Sequence, residues 1–399
     1  MEPDKLLLFT GVNCTAKENS MKIGIEVQRI FRPKKHGMEI VSMEIIRELQ
    51  KLDQQNNYIL FAKEDSDDNS IVETANFKID KSITGPYPIW EQMGLPASAK
   101  KHALQFLHCT ANTAPFFCKV PTIITVHDVI YMESLSFKGS AYQNFGNLYR
   151  RLIVPRAVKN ARLILTVSEY EKGVIAAKLA VPLEKIRVIY NGVNNQFVKI
   201  TESTLLEAFR IKYKLPEKFI LHFGNTAPKK NTIGVLQGFK KLAATQKHFL
   251  PLVLTDCDTA YITDLLKSID ATHLLEHIVV PGYIPFSEIP KLYNLATLFL
   301  YPSHRESFGM PVVEAMACGV PVITSNTSAL PEIAGGAASL INPAKPNEIC
   351  DAIVALLNDE NLYQQLQQAG YLNAQRFSWK NAALKTLEVY NEMKTICKL

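Results

Sequence analysis

The chain alternates apolar runs of strand length with helical patterns, and it does so in two successive series. The first series runs from "MKIGIEV" (21–27) to "IRVIYNGV" (186–193), and the second begins at "FILHFGN" (219–225). "TIITVHD" (122–128) is nearly unbroken in its apolar character, as expected for a strand of a parallel sheet covered on both faces. This alternation predicts two doubly wound α/β domains joined near residue 200.

Local signals mark the starts of several predicted helices. Gly37 precedes a helical pattern that reaches about residue 52, with apolar residues at positions 38, 41, 45, 49 and 52 on one face. Ser168 and Glu171 have the spacing of a capping box, which predicts a helix start at this point. Asn191-Gly192 predicts a turn at the end of the first series.

The segment "RESFGMPVVEAMACGVPVI" (305–323) places two glutamates at a predicted ligand-binding edge. Pro311 fits the first turn of a helix and Gly319 fits its end, so the helix makes about two turns between two parallel strands. In such sheets, ligands bind beyond the carboxyl ends of the strands. Glu306 therefore lies in the loop at that edge, and Glu314 lies one turn into the helix.

The chemistry of this loop predicts a ligand with a phosphate between two groups that carry hydroxyls. The backbone N–H groups of Ser307, Phe308 and Gly309 are available to an anion. Carboxylates accept hydrogen bonds in pairs, so Glu314 suits the vicinal hydroxyls of a ribose and Glu306 those of a second sugar. These features describe a nucleotide sugar. Two other interpretations stay open here, namely two unrelated surface glutamates or the carboxylate pair of a glycosidase.

The order of strand, Glu306, Ser-Phe-Gly, Pro311 and then Glu314 closely resembles the Glu-x7-Glu signature of retaining glycosyltransferases of family 4, which have the GT-B fold. The resemblance covers most of residues 21–393. It implies two Rossmann-like, doubly wound parallel-sheet domains that face a cleft. In these terms, residues 1–20 are an N-terminal extension, residues 21–200 with a terminal helix at 380–399 bind the acceptor, and residues 201–379 bind the nucleotide sugar.

"FGNTAPKKN" (223–231) resembles the phosphate loop of the family's second domain. The resemblance assigns Gly224 and Asn225 to the donor site, Lys230 to the diphosphate and Lys229 to the position of a common basic neighbour. Many members have Arg where this chain has Asn225, so the charge on the leaving diphosphate falls to the lysines. Asn231 is predicted to be the N-cap of the next helix. Lys230 is then catalytic, because it stabilises the departing diphosphate.

"TVHDVIY" (125–131) resembles the first-domain motif whose histidine lies beside the donor sugar. His127 is therefore predicted to be a catalytic contact of the donor, together with Glu306 on the other side of the cleft. Gly37 matches the first-domain glycine loop at the donor phosphate. That loop is usually richer in glycine, so Gly37 alone is assigned to it.

Residues 85–102 and 107–115 resemble the acceptor side of bacterial mannosyltransferase-like members that act on surface polysaccharides. Tyr87 and Trp90 are predicted to lie there, either stacked on a sugar or packed in the core. The resemblance implies a donor linked to GDP or UDP and transfer of a mannose- or glucose-type unit with retention. The acceptor would be a saccharide or a polyprenyl-linked saccharide.

Charge and cysteine content narrow the classes of partner. A formal net charge of +6 suits phosphate-bearing ligands or an anionic membrane surface, but no basic stripe or known module indicates nucleic acid. Seven cysteines, an odd number without a C-x-x-C, predict the reduced thiols of a cytoplasm. No apolar stretch reaches spanning length, so we expect a cytoplasmic protein, at most peripherally associated with the inner face of a membrane.

Two metal-like patterns are assigned no metal. Asp256-Cys257-Asp258 lies away from the predicted diphosphate loop, and the H-x-x-E-H at 273–277 runs into a strand. We expect no metal and no cofactor, with the nucleotide sugar as co-substrate. Two alternative functions remain: a nucleotide-sugar epimerase or hydrolase of this fold, and a non-catalytic nucleotide-sugar-binding protein.

Overall fold

The computed structural model describes residues 20–33, 35–67, 69–132 and 141–398. It contains two parallel β-sheets, one of seven strands and one of six, with helices between successive strands. This architecture confirms the predicted α/β fold with two doubly wound units. The extension predicted at residues 1–20 lies outside the described residues, except for Ser20.

The first sheet is built from the strands and helices that precede residue 190. The strands are β1 (Lys22–Glu26), β2 (Asn57–Phe61), β3 (Phe77–Asp80), β4 (Phe106–Cys109), β5 (Thr122–Thr125), β6 (Leu163–Thr166) and β7 (Ile186–Val188). The helices are α1 (Gly37–Leu52), α2 (Tyr87–Ile89), α3 (Leu95–Lys101), α4 (Ala141–Asn160) and α5 (Glu169–Leu179). The strand order is β3-β2-β1-β4-β5-β6-β7, and all neighbours are parallel.

The second sheet follows the same plan. Its strands are β8 (Ile220–Phe223), β9 (Leu252–Thr255), β10 (Ile278–Val279), β11 (Leu298–Tyr301), β12 (Val322–Ser325) and β13 (Ser339–Ile341). The remaining helices are α6 (Ser203–Lys212), α7 (Thr232–Thr245), α8 (Thr259–Ser268), α9 (Ile289–Leu295), α10 (Met310–Ala317), α11 (Leu330–Ala334), α12 (Pro346–Asn358), α13 (Glu360–Ala374) and α14 (Trp379–Ile396). The strand order is β10-β9-β8-β11-β12-β13.

Burial explains why the strands read as apolar runs. β4, β6, β9, β11 and β12 are buried at every position, because crossover helices cover both faces of each sheet. Two apolar clusters pack on the first sheet and two on the second. Polar residues are therefore concentrated at the loops where the strands end.

The sequence prediction omits two strands of the first sheet. β3 is a short edge strand, and it follows a polar segment without a clear apolar run. β4 carries the polar residue His108 at a fully buried position, which breaks the apolar pattern. The ring of His108 is satisfied by the hydroxyls of Tyr390 at 2.8 Å and Thr125 at 2.7 Å.

The chain crosses between the two units twice, near residues 193 and 378, and these two connecting passages touch. Val193 pairs with Ser378 in an isolated parallel bridge, and the Val193 N–H donates to the Phe377 carbonyl at 3.1 Å. Gly192 permits this contact, because an added Cβ would lie 2.2 Å from the backbone nitrogen of Trp379. The turn predicted at residues 191–192 is wrong, since this segment forms no turn and the glycine serves close packing instead.

The second passage leads into α14, which packs on the first unit. The buried face of α14 joins the apolar cluster of β1 and α1, through side chains that include Trp379, Tyr390 and Met393. Arg187 and Glu392 form an ion pair at 2.5 Å that joins β7 to α14. The first unit is therefore completed by the last helix of the chain.

Candidate functional site

Each sheet has one point where the order of its strands reverses. In the first sheet this point lies between β1 and β4, and in the second it lies between β8 and β11. A crevice opens beyond the carboxyl ends of the strands at such a point, and ligands bind there. The residues at these strand ends are Glu26 and Thr110 in the first sheet, and Gly224 and Pro302 in the second.

An ion pair spans the crevice of the second sheet. Lys230 follows β8, Glu306 follows β11, and the Lys230 ammonium donates to Glu306 Oε1 at 2.8 Å. The hydroxyl of Tyr301 donates to the same carboxylate oxygen at 3.0 Å and also contacts the Lys230 ammonium. Burial and the neighbouring Glu306 carboxylate hold the pKa of Tyr301 well above its usual range. Tyr301 therefore stays neutral and fixes both charged groups in place.

The loop that carries the lysines is held by its own polar groups. Gly224 packs tightly, because an added Cβ would lie 3.1 Å from the Thr255 carbonyl oxygen. The side chain of Asn225 accepts from the Ala227 N–H at 2.8 Å, so it stabilises the turn in front of the lysines. Thr232 Oγ1 in turn donates to the Asn225 carbonyl at 3.0 Å.

Asn231 occupies the predicted N-cap position of α7, but its side chain joins the loops of the crevice. Its backbone has φ of +59°, and the side chain makes no capping hydrogen bond to α7, so the position is confirmed and the side-chain cap is not. A capping side chain needs an extended backbone at that position, which the left-handed conformation does not give. The amide instead donates to the carbonyls of Pro302 at 3.1 Å and Pro343 at 2.7 Å.

Glu314 lies one turn into α10 and is buried. The hydroxyl of Tyr293 donates to Glu314 Oε2 at 3.2 Å. Burial raises the pKa of Glu314 to about 7, against an ordinary value of 4.5. A ligand that donates hydrogen bonds to this carboxylate would stabilise its ionised form.

The start of α10 offers backbone groups rather than side chains. Gly309 has φ of +104°, which favours glycine, and an added Cβ would lie 2.7 Å from Leu330 Cδ2. The ring of Phe308 is buried against Tyr190 and Phe377, with centroids 6.3 and 5.5 Å away. Any contact of Phe308 with a ligand at this edge is therefore through its backbone.

Lys229 and Gly37 are the remaining predicted donor contacts. The Lys229 carbonyl accepts from the His304 N–H at 2.8 Å, and its ammonium has no ion-pair partner among the residues that the structure describes. Gly37 is the first residue of α1, and an added Cβ would meet only open space. Packing therefore does not require glycine at position 37.

His127 lies at the crevice of the first sheet and is neutral. Its Nε2 donates to the Thr110 carbonyl at 2.9 Å, and its backbone N–H donates to Asn112 Oδ1 at 2.6 Å. Burial lowers its pKa below the ordinary value of 6.5. With the proton on Nε2, Nδ1 is left as a hydrogen-bond acceptor.

A buried ion pair connects the second crevice to the first unit, and the sequence did not reveal it. Arg305, the residue before Glu306, pairs with Glu171 of α5 at 2.5 Å, and Glu171 is fully buried. The predicted capping box is therefore half correct. Ser168 accepts from the Glu171 N–H at 3.1 Å, but the Glu171 carboxylate faces Arg305 instead of returning to the backbone.

Two further sets of contacts hold the second unit against the start of α5. The hydroxyl of Ser168 donates to the Ser307 carbonyl at 2.7 Å, which fixes the Ser-Phe-Gly loop. Glu332 of α11 accepts from the backbone N–H groups of Glu169 at 2.8 Å and Tyr170 at 3.0 Å. The second crevice is therefore held against the first unit.

Family models match both halves of the chain. The model described as "Glycosyl transferases group 1" matches residues 207–373, and the model described as "Glycosyltransferase Family 4" matches residues 36–197. The chain belongs to the group 1 glycosyltransferases. The matches confirm the family that the Glu-x7-Glu signature indicated.

Individual members of this glycosyltransferase family are similar over most of the chain. O-antigen chain mannosyltransferase B of Escherichia coli is 30% identical over 244 residues, which are 61% of this chain and 64% of that protein. The serotype-specific mannosyltransferase WbdA of Escherichia coli is 26% identical over 276 residues, 68% of this chain and 33% of that protein. The matched parts therefore span less than two thirds of both relatives.

The solved structures include one of Anabaena HepE in complex with UDP and glucose. It has a TM-score of 0.70 and 20% identity, and the match covers 93% of this chain and 99% of that chain. At this level of identity the likeness shows the fold, which is GT-B. Among the described residues of this glycosyltransferase, no helix is long and apolar enough to cross a membrane.

The two aromatic residues predicted on the acceptor side of the glycosyltransferase have different surroundings. Trp90 is fully buried, so its ring cannot stack on a saccharide, and of the two predicted alternatives it is a core residue. It begins a π-helical turn, and its side chain packs in an apolar cluster of the first unit. Tyr87 lines an open cavity next to β1, and its hydroxyl donates to Glu91 at 2.7 Å.

Proposed function

We propose that this protein is a glycosyltransferase that moves a mannosyl or related hexosyl unit from a GDP- or UDP-linked sugar to a saccharide or polyprenyl-linked saccharide, with retention of anomeric configuration. The Lys230–Glu306 ion pair at the second crevice, held against the first unit, is the observation that carries the proposal. The O-antigen mannosyltransferases among the relatives support a mannosyl unit and a polysaccharide product, and the complex of HepE with UDP and glucose supports a nucleotide donor.

The donor would bind across the second crevice. Its diphosphate would lie against the ammonium groups of Lys229 and Lys230 and the N–H groups at the start of α10, because both supply positive charge. The Glu314 carboxylate would accept hydrogen bonds from the nucleoside hydroxyls, and Glu306 from the transferred sugar. Neutral His127 would accept from the sugar on the other side of the cleft.

The chemical step needs charge stabilisation more than a nucleophile. The bond between the anomeric carbon and the diphosphate oxygen breaks, the acceptor hydroxyl oxygen bonds to that carbon, and the hydroxyl proton leaves with the diphosphate. Negative charge grows on the departing oxygen, so a preoriented ammonium lowers the barrier. Glu306 and Tyr301 already orient Lys230 for that task. We propose that these cations replace a divalent metal.

A screen of donors tests this proposal directly. GDP-mannose, UDP-glucose and UDP should be compared by thermal shift, and any product formed with a mannoside acceptor should be examined by NMR for its anomeric configuration. We expect one nucleotide class to raise the melting temperature and the product to retain configuration. Turnover of donor alone into an epimer would support the epimerase alternative. Dependence on Mn²⁺ after EDTA treatment would contradict the metal-free mechanism.

A surface of α4 supports peripheral contact with a membrane. Phe145, Leu148 and Leu152 are each more than half exposed, and Arg156 and Lys159 continue the same stripe at exposed positions. The spacing of three and four residues puts all five on one helix face. An apolar stripe that continues into basic residues suits the interface of an anionic bilayer.

The residues around this stripe are also apolar or basic. Phe117 is 79% exposed beside the end of α4, where Asn160 donates to the Phe116 carbonyl at 3.0 Å. The sequence has no Asp or Glu at positions 92–127 or 134–168, yet these segments hold several Lys and Arg residues. Phe145 also lines the cavity beside Tyr87, so a membrane at this face would bring a lipid-linked acceptor to it.

Vesicle binding tests the membrane contact. We expect the protein to sediment with phosphatidylglycerol vesicles and to bind neutral phosphatidylcholine vesicles far less. Combining Phe145→Ser, Leu148→Ser and Leu152→Ser should reduce binding about tenfold, because three apolar side chains leave the interface. Ile211→Ser, an exposed apolar residue of α6, is the matched control. Equal binding by the triple variant and the control would refute this contact.

A further inference from the structure

The cavity at the first crevice is the open cavity that Tyr87 and Phe145 line. It lies beyond the carboxyl ends of β1 and β4, and its walls include Glu26, Arg29, Tyr87, Thr110, Thr113 and Tyr149. Thr110 connects it to His127: its hydroxyl donates to the Glu26 carbonyl at 2.7 Å, and its own carbonyl accepts from His127. The cavity therefore adjoins the residue predicted to face the donor sugar.

Glu26 is a buried carboxylate with one oxygen unsatisfied. Its side chain is 2% exposed, and Oε1 accepts from the Gln28 N–H at 2.9 Å. Oε2 is buried and has no hydrogen-bond partner among the described residues. A buried carboxylate oxygen without a partner is costly, so its retention at a cavity wall needs a reason. Burial, with a smaller contribution from Glu91, raises the pKa of Glu26 to about 7.

A second carboxylate of the same region shows the opposite arrangement. Glu91 is fully buried and accepts hydrogen bonds from Tyr87 at 2.7 Å, Gln92 at 2.7 Å and Tyr149 at 2.5 Å. The hydroxyl of Thr113 also donates to it. Glu91 thus organises the cavity wall and has no capacity left for a ligand. Glu26 is left with that capacity, because the fold satisfies only one of its oxygens.

The other walls indicate the chemical class of the ligand. Tyr87 and Tyr149 present aromatic rings with centroids 5.8 Å apart, and the guanidinium of Arg29 lies 5.1 Å from the Tyr87 ring. Aromatic rings bind the apolar faces of sugars, and a free carboxylate oxygen accepts from a sugar hydroxyl. Glu26 and Glu39 are matched by Arg29 and Arg150 among the lining residues, so the walls carry no excess positive charge that would favour a phosphorylated or acidic ligand. The combination suits a neutral sugar.

We propose that this cavity binds the terminal sugar of the acceptor and that Glu26 Oε2 accepts a hydrogen bond from one of its hydroxyls. The inference rests on the proposed glycosyltransferase function and adds the residue that selects a neutral, hydroxyl-bearing acceptor. Glu26 then positions the acceptor beside His127. Loss of Glu26 should weaken acceptor binding and leave the nucleotide site, which lies in the other unit, unaffected.

Saturation-transfer NMR with methyl α-mannoside and an α-linked mannobiose, in the presence of GDP or UDP, tests the inference. Glu26→Gln and Glu26→Ala should weaken saccharide binding about tenfold, the value for a lost hydrogen bond to a charged group. Glu44→Gln, a carboxylate of α1 paired with Arg47 at 2.9 Å, is the matched control and should bind as the wild type does. Mannose 6-phosphate should not bind to any of the four proteins.

Melting temperature separates a ligand role from a structural one. Glu26→Gln removes a buried, half-satisfied charge, so we expect an unchanged or higher melting temperature together with weaker saccharide binding. A lower melting temperature with unchanged binding would assign Glu26 to the fold and overturn the inference. Failure of the wild type to bind either saccharide would also overturn it. Failure of the wild type to bind any nucleotide sugar would instead overturn the proposed function.

Discussion

The two crevices of this molecule share one topology and differ in charge. Both lie where the strand order reverses, at the ends of β1 and β4 in one sheet and of β8 and β11 in the other. The second crevice gathers Lys229, Lys230 and the start of α10, whereas the first sets Glu26 among the rings of Tyr87 and Tyr149, with Arg29 beside them. The strand order sets where each crevice lies, and we propose that the loop residues set which ligand binds: an anion in one case and a neutral polyol in the other.

The comparison predicts that Lys230 has the largest role in turnover. Lys230→Ala removes the ammonium that faces the departing diphosphate, and turnover should fall on the order of 10²-fold or more, by analogy with lost oxyanion donors. Steady-state rates at saturating donor would measure this loss. Lys267→Ala, an exposed lysine of α8, is the control and should keep the wild-type rate. Unimpaired turnover in a folded Lys230→Ala protein would show that catalysis does not depend on the positive charge at the second crevice.

The ion pair that joins the two units should matter for stability. Arg305→Ala leaves the fully buried Glu171 without its ion-pair partner, and the free energy of unfolding should fall by about 3 kcal/mol. Adding Glu171→Gln removes the unpaired buried charge and should restore part of the lost free energy of unfolding. Denaturant titration of the single and double variants measures both effects. If the double variant is no more stable than Arg305→Ala alone, the pair does not join the two units as described.

Glu314 should act on nucleotide affinity. Glu314→Ala removes a carboxylate that accepts from nucleoside hydroxyls, so the dissociation constant for the nucleoside diphosphate should rise about tenfold. Calorimetry measures it, and saccharide binding at the first crevice should not change. Wild-type nucleotide affinity in this variant would place the nucleoside elsewhere in the second unit.

The smallest expected effect is a pH dependence of acceptor binding. The pKa of Glu26 is raised to about 7, so the carboxylate becomes protonated as the pH falls through 7 and loses strength as an acceptor. The acceptor KM should rise about threefold from pH 8 to pH 6, where the ionised fraction falls about tenfold. Donor must be saturating, since Glu314 titrates in the same range. A Glu26→Gln protein should have a flat profile, and an equally steep one would assign the change to another group.

Much of the fold could be predicted because parallel, doubly covered sheets produce long apolar runs. The strands that precede Lys230 and Glu306 were recognisable for this reason, and Pro311 and Gly319 located the start and the end of α10. β4 was not recognisable, because a buried histidine interrupts its pattern. His108 is tolerated there by contacts with Tyr390, which lies 282 positions away in the chain and which local sequence cannot indicate.

The site was predictable where function leaves a local motif and not where it depends on packing between units. Lys230 and Glu306 lie in motifs, but the Arg305–Glu171 pair joins positions with no local relation. Trp90 could be assigned neither to stacking nor to the core from its motif, and the packing of the first unit decides for the core. Glu26 did carry a usable signal: it is a charged residue that ends an apolar strand, which is where parallel sheets place ligand contacts.

The paired passages at Val193 and Ser378 have a mechanical consequence. Both connections between the units lie at this one place, so a movement of one unit relative to the other would bend the chain here. The Arg305–Glu171 ion pair and the hydrogen bonds of Ser168 and Glu332 would have to open during such a movement.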